Sequence, residues 1–381
     1  MKKHIFFWLS ILIPVFLFTL PVIFILLYSF TDNFQWLYFA AGSGIIAVVS
    51  WKPLAEWRYR ARDMAQTDEF GNSTRKQYSR LSQQERDQID LQKTADMERI
   101  VSTTTLKKMT QPGSTDPQKD LDMLIGLADV KQKVEEMAAK MEFDQQEKKK
   151  KGKQYKSPFD SGHHAVYFGP PGTGKTSVAR IMTGFLYKYG YIKENKCVEV
   201  DGNFLKAGTE TSTKTTMVIR QAMGGVLFVD EAYALIQGDQ YGQDAIATLI
   251  KQMEDYRGRF VLILAGYTNE MRELLNANPG FQSRLKEYLY FEEYNDQDML
   301  TIFRTMAQHK GYTVSTGAEQ NALVRIQAER KLSSFGNART ARSILDEAIE
   351  KHAYHCIKFK LPDEQRYELQ AEDVSTAPRS I

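Results

Sequence analysis

Gly169-Pro170-Pro171-Gly172-Thr173-Gly174-Lys175-Thr176 decides the fold. It satisfies the spacing G-x-x-x-x-G-K-[ST], and it lies between the apolar run Ala165-Val166-Tyr167-Phe168 and a stretch of helical periodicity starting near Lys175. A strand, a glycine-rich turn and a helix in that order make this spacing a phosphate cradle. The glycines let backbone N–H groups turn inward, and the helix N-terminus adds partial positive charge. Pro171, Gly172, Thr173, Gly174 and Ser177 therefore join the expected nucleotide-binding set. Lys175 is expected to reach the β- and γ-phosphates of ATP, and Thr176 to bind Mg²⁺.

Downstream, Val226-Leu227-Phe228-Val229-Asp230-Glu231 is an apolar run ending in two carboxylates. Alone, it reads as an acidic helix start after a strand. Beside a phosphate cradle it has a chemical reading: Asp230 holds Mg²⁺ through its water shell, and Glu231 polarises the attacking water as general base. Cys197–Val200 and Phe260–Leu264 are further apolar runs separated by helical patterns. Strands alternating with helices argue for an α/β fold, a P-loop NTPase parallel sheet with helices on both faces. After Asp296 the strands stop, and Asp296–Gln308, Ala318–Arg330 and Asn337–Lys358 read as helices of a small C-terminal domain. No Asn-Lys-x-Asp motif for reading guanine occurs.

The segment Gly224-Gly-Val-Leu-Phe-Val-Asp-Glu-Ala-Tyr233, taken with Gly169–Thr176, resembles the AAA+ ATPases. The nearest branch holds the stage V sporulation protein K-like proteins and the red-type rubisco activases. Leu124-Ile125-Gly126-Leu127 followed by Val130-Lys131 resembles the family's leading segment. Leu264-Ala-Gly-Tyr267 resembles its fourth core strand, Asn278-Pro-Gly-Phe-Gln-Ser-Arg284 its arginine-finger segment, and Phe335-Gly-Asn-Ala-Arg339 its sensor-2 motif. The resemblance implies that Ile125 and Gly126 contact adenine through their backbone, that Arg339 contacts the nucleotide from a lid domain, and that Arg284 reaches the γ-phosphate of a neighbouring subunit in a homo-hexamer. The sensor-1 position falls on Thr268, with Asn269 adjacent. It also implies ATP-driven remodelling of a protein partner. One departure bears on that role: in Phe204-Leu-Lys-Ala-Gly208, Ala207 stands where relatives carry a pore-loop aromatic, and Phe204 lies three residues earlier. The alternative is a nucleotide-dependent assembly scaffold or switch that threads nothing.

The 381 residues carry 50 Lys+Arg against 47 Asp+Glu, a net charge of +3, so bulk charge names no nucleic-acid partner. Two cysteines, Cys197 and Cys356, make no disulfide framework. Residues 5 to 30 carry no charge, and all four tryptophans lie within the first 57 residues. Ile5–Phe30 as a helix is about 39 Å long, and Phe34–Trp51 about 27 Å, lengths that can span a bilayer. Lys2 and Lys3 before them, and Lys52, Arg58, Arg60 and Arg62 after them, predict cytosolic flanks. The expected organisation is a two-helix transmembrane anchor over 1–52, a polar, partly helical linker over 53–117, an α/β ATPase domain over 118–295 and a helical lid over 296–381. That places the ATPase on the cytosolic face of a bacterial cell membrane.

Other candidates are weaker. Lys148–Lys151 reads as a solvated loop, since no aromatics interleave it as nucleic-acid binding would want. His352, His355 and Cys356 offer metal-ligand types on one helix without a fourth ligand, and scattered surface residues are the simpler reading. His163-His164 reads as a strand lead-in. No His-Glu-x-x-His zinc-protease pair occurs.

Overall fold

Side chains alternate across each central strand, and that alternation builds two cores. In β2 (Ala165–Phe168), Ala165 and Tyr167 face one core while Val166 and Phe168 face the other. In β4 (Val226–Asp230), Val226 and Phe228 oppose Leu227 and Val229 in the same way, and β5 (Val261–Gly266) repeats the pattern. Strands apolar on both faces belong in a sheet covered on both sides. With β1 (Thr110–Pro112), β3 (Lys196–Asp201) and β6 (Glu287–Tyr290), they form a six-stranded sheet of order β1-β3-β4-β5-β2-β6. Only β1 is antiparallel, pairing Gln111 with Cys197. Pro112 lacks an N–H and is tolerated there because β1 is an edge strand.

This computed structural model describes residues 100–378 apart from 153–154, 156, 158–162, 207–209 and 238–239. All of them belong to one unit, Ala95–Ile381.

The register aligns the strand ends that matter. Phe168 pairs with Gly266, Val229 with Leu264, and Asp201 with Asp230, so the chain leaves β2, β4 and β5 along one edge. The helix Lys175–Lys188 follows β2 and packs against β3 and β4. It starts after Gly174 with no side chain capping it, so its first N–H groups keep no side-chain partner. The helices Asp296–His309 and Thr316–Arg330 differ: Asn295 and Ser315 cap them, each accepting from a backbone N–H three residues on. These two and Ala338–Lys358 enclose a third core around Met299, Phe303, Ile326, Ile344 and Leu345.

Several expectations shift. The fold class is corrected at its N-terminal end. Among the described residues no helix is long and apolar enough to cross a membrane. The longest of them, Ala128–Lys151, has the length but is charged throughout and ends in four lysines. The runs Ile5–Phe30 and Phe34–Trp51 lie outside the described residues. What stands is a P-loop α/β fold with C-terminal lid helices. The transmembrane hairpin, the multi-pass membrane localisation and the membrane partner are withdrawn.

Lys148–Lys151 is not a loop but the last turn of Ala128–Lys151. Lys148 Nζ lies 2.7 Å from Asp144 Oδ2 and Lys151 Nζ 2.6 Å from Glu147 Oε2, and the helix dipole favours cations at this end. The helices Pro117–Asp122 and Ala128–Lys151 are separated by a turn in which Gly126 and Leu127 both have positive φ. Part of the expected linker, Thr110–Pro112, is strand β1, and Val101 and Leu106 sit in the sheet core. The lid adds a two-residue parallel pair, Thr313–Val314 with Glu368–Leu369.

His164 extends the sheet beyond β2. Its carbonyl accepts from Lys286 N and its Nδ1 accepts from Leu262 N at 2.8 Å. Burial pushes its pKa down to about 4, with His163, Arg257 and Arg284 adding repulsion. A base with a depressed folded pKa binds fewer protons folded than unfolded. Its stabilisation is therefore present above the unfolded value of about 6.5 and lost as pH falls towards 4. Thermal melts between pH 7.5 and 4.5 are expected to show Tm falling across this window. The variant His164→Asn, whose Oδ1 reproduces the Nδ1 acceptor, should flatten that slope; an unchanged slope would remove His164 as its cause.

Candidate active site

A cleft of about 450 Å³ opens at the aligned strand ends. The glycine-rich loop supplies Gly169, Pro171, Gly172, Gly174, Lys175, Thr176 and Ser177; β4 and its end supply Asp230 and Glu231; the lid helix supplies Arg339. Residues far apart in the chain thus line one cleft. Thr173 is buried behind the loop, its Oγ1 donating to Pro170 O at 2.9 Å.

Lys175 is buried at the foot of the cleft. Its Nζ donates to Gly169 O at 2.8 Å and to Pro170 O at 2.7 Å. Burial pulls its pKa down, Asp230 and Glu231 act to raise it, and Arg339 adds to the lowering. Asp230 Oδ1 accepts from Glu231 N at 3.0 Å. Glu231 itself has φ 48°, a left-handed conformation that costs a non-glycine residue about 1–2 kcal/mol. That turn ends the strand abruptly, and both carboxylates line one cleft. The donor set of Thr176 hydroxyl and Asp230 carboxylate is all hard oxygen, the chemistry Mg²⁺ prefers.

Other expected residues sit elsewhere. Thr268 begins the helix Thr268–Ala277 and is not part of the cleft lining, whereas Tyr267 is, its ring 5.6 Å from that of Tyr233. Ile125 and Gly126 lie at the junction with the lid: Ile125 packs on the lid core, and a Cβ on Gly126 would meet Asp298 Oδ2 at 2.6 Å. Arg284 lines a separate cleft of about 230 Å³ with His164, Glu254, Arg257 and Lys286. Its Nη2 lies 3.1 Å from Glu254 Oε2 and its Nη1 donates to Gly280 O. Phe204 is half-buried against the sheet core, with Lys214 Nζ 5.0 Å over its ring; Ala207 lies outside the described residues.

Residues not singled out from the sequence also line the cleft. Arg342 stands three residues after Arg339 on the same helix, a spacing that would have revealed it. Arg180 reaches the cleft while its Nε and Nη2 donate to Glu199. Asn337 is fully buried at φ 50° and joins lid to loop. The histidines of the lid are not scattered surface residues. His352 is buried, its Nδ1 2.8 Å from Asp373 Oδ2, and His355 Nδ1 lies 2.6 Å from Asp373 Oδ1. Among the described residues no group of three or more such side chains could hold a metal ion.

The family model for AAA, the ATPase family associated with various cellular activities, matches residues 165–293, and the AAA lid domain model matches 295–380. The chain belongs to the AAA ATPase family. It is 36% identical over 285 residues to the chloroplastic ribulose bisphosphate carboxylase/oxygenase activase of Cyanidioschyzon merolae, covering 72% of this chain and 96% of that one. It is 37% identical over 247 residues to protein CbbX of Cereibacter sphaeroides, with 63% and 79% covered. Stage V sporulation protein K of Bacillus subtilis is 31% identical over 246 residues, with 62% and 74% covered. The chain is thus an AAA ATPase of the CbbX and rubisco activase type, which binds ATP and hydrolyses it.

Gly172 has φ 70°, and a Cβ there would lie 2.1 Å from Gly336 O. Gly311 has φ 81° and open space around it. Gly311→Ala should therefore show only the conformational cost, about 1–2 kcal/mol. Gly172→Ala should lose more in thermal melts and also bind ATP more weakly, because the lid is pushed off the loop. Equal losses in the two variants would show that the contact with Gly336 is unimportant.

Proposed function

We propose that this ATPase works as a homo-hexameric ring that couples ATP hydrolysis to remodelling of a protein client. The observation that carries the reading is the separation of Arg284 from the cleft of its own chain. Each cleft has two carboxylates, Lys175 and the lid arginines, while the finger segment offers Arg284 at a different surface. A finger that serves a neighbour explains that division. AAA ATPases are typically oligomeric, which agrees with it.

In this reading Lys175 leaves its loop carbonyls for the β- and γ-phosphate oxygens of ATP. Thr176 and Asp230 hold Mg²⁺, which when bound neutralises charge on the phosphate oxygens. Glu231 takes the proton of the attacking water. Arg339, with Arg342 beside it, contacts the phosphates from the lid, and Arg284 of one subunit offsets transition-state charge in the next. Tyr267 replaces Thr268 as the residue reporting from the end of β5. Ile125 and Gly126 pass the adenine at the lid junction.

The client is proposed to be a protein because one relative is named as an activase of an enzyme. The packing of Phe204 favours local remodelling over processive threading: with its ring against the core and under Lys214, it anchors the base of its loop.

Mixing experiments test the shared site. Lys175→Ala should lose nucleotide affinity, and Glu231→Gln should keep binding but lose turnover. Arg284→Ala should bind ATP normally and hydrolyse it far more slowly, with about 10³–10⁵-fold as the scale of such fingers elsewhere. Co-assembled Arg284→Ala and Glu231→Gln subunits contain interfaces with both groups intact, so activity should partly return. Absence of recovery in confirmed mixed assemblies would rule out a site shared in trans.

A further inference from the structure

The lid holds the back of the glycine-rich loop. Asn337 Nδ2 donates to Pro171 O at 3.2 Å, Ala338 N donates to Gly172 O at 3.2 Å, and Tyr294 OH donates to Thr173 O at 3.2 Å. Three successive loop carbonyls are thus each bound, two by the lid residues Asn337 and Ala338 and the third by Tyr294, which precedes the lid and packs in its core. Asn337 and Tyr294 are tied to one another, since Asn337 Oδ1 accepts from Tyr294 N at 3.1 Å. Asn337 and Tyr294 are buried, so water does not compete freely for these bonds. Asn337 adopts φ 50° and ψ −125°, a region that side chains rarely enter and that surrounding contacts must enforce.

A trans peptide is planar, and its C=O and N–H point in opposite directions. Fixing the carbonyl of residue 171 outward therefore turns the N–H of Gly172 inward. The carbonyls of 172 and 173 do the same for the N–H groups of Thr173 and Gly174. Without these contacts a glycine-rich loop would sample many peptide orientations, and ordering it on binding would cost affinity.

We propose that Asn337 and Tyr294 are positioning residues that pre-orient the phosphate-binding amides from behind and thereby couple the lid to nucleotide occupancy, a link independent of Arg339. It rests on the reading of this loop as the phosphate cradle. Hydrogen bonds in a chain polarise one another. A phosphate accepting from these amides strengthens the donors' own carbonyl contacts, so nucleotide tightens the lid and the lid tightens nucleotide, reciprocally.

Tyr294→Phe removes one hydroxyl and leaves the ring in the lid core. Asn337→Gly removes the side-chain bonds while permitting the positive φ. Each is expected to raise the Kd and KM for ATP about three- to tenfold, the scale of a single neutral hydrogen bond, with a smaller change in kcat. In the unaltered protein, saturating nucleotide is expected to slow hydrogen exchange of the Ala338 amide, and both variants should weaken that protection. A purely structural role would lower Tm and leave Kd unchanged, and that result in both variants overturns the proposal. So does an Ala338 amide indifferent to nucleotide. Lys175→Ala separates the two levels: wild-type binding by that variant would remove the cradle reading and this proposal with it. Lost binding there, with unaltered Kd in both lid variants, removes this proposal alone.

Discussion

Parallel pairing of β2 between β5 and β6 is the constraint on which the molecule turns. It sets the first parallel strand one in from the β6 edge, so the connection leaving β2 must cross a face of the sheet, past β5 and β4, to reach β3. The crevice at such a reversal is where open α/β sheets bind ligands. The register then brings the glycine-rich loop, the carboxylates after β4 and the end of β5 to one line. Gly169 N donates to Gly266 O at 3.1 Å, so this pairing continues into the first residue of the loop itself.

What was legible in the sequence is what depends on local spacing. Gly169–Thr176 and Val226–Glu231 each encode their own geometry within a few residues, so strand, turn and side chain could be read together. The helices expected over Asp296–Gln308 and Ala318–Arg330 announced themselves by period, and the structure places them at Asp296–His309 and Thr316–Arg330. The harder features depend on partners distant in sequence. Thr110–Pro112 is a strand only because β3 offers it an edge, and nothing in Thr-Gln-Pro says so. Lys148–Lys151 is a local exception: it stays helical because Asp144 and Glu147 lie one turn back, an i,i+4 spacing present in the sequence.

Thr268 and Tyr267 differ by one position, and of the two Tyr267 lines the cleft. Side chains in a strand change face at every residue, so the last strand residue decides which neighbour enters the cleft. β5 ends at Gly266, and Tyr267 rather than Thr268 takes the cleft side. Asn337 lies within the quoted segment Phe335–Arg339, yet its role was not readable there. A buried asparagine two residues before a lid arginine has no pattern of its own; its meaning lies in the carbonyl of Pro171, 166 residues away. The apolar stretches before residue 52 suggested an anchor through length, lack of charge and basic flanks, and among the described residues no helix is both long and apolar enough to cross a membrane.

Lys175 folding back onto Gly169 O and Pro170 O has a consequence for how the cleft behaves between turnovers. The ammonium is its own placeholder: buried, it keeps two acceptors instead of standing as an unsolvated charge. An arriving nucleotide must exchange those neutral carbonyls for anionic oxygens, so the lysine counts charge rather than contacts. A weakly charged intruder has little with which to outbid two short carbonyl bonds, whereas a polyphosphate does. The two carbonyl contacts of Lys175 are thus what an anionic oxygen has to replace.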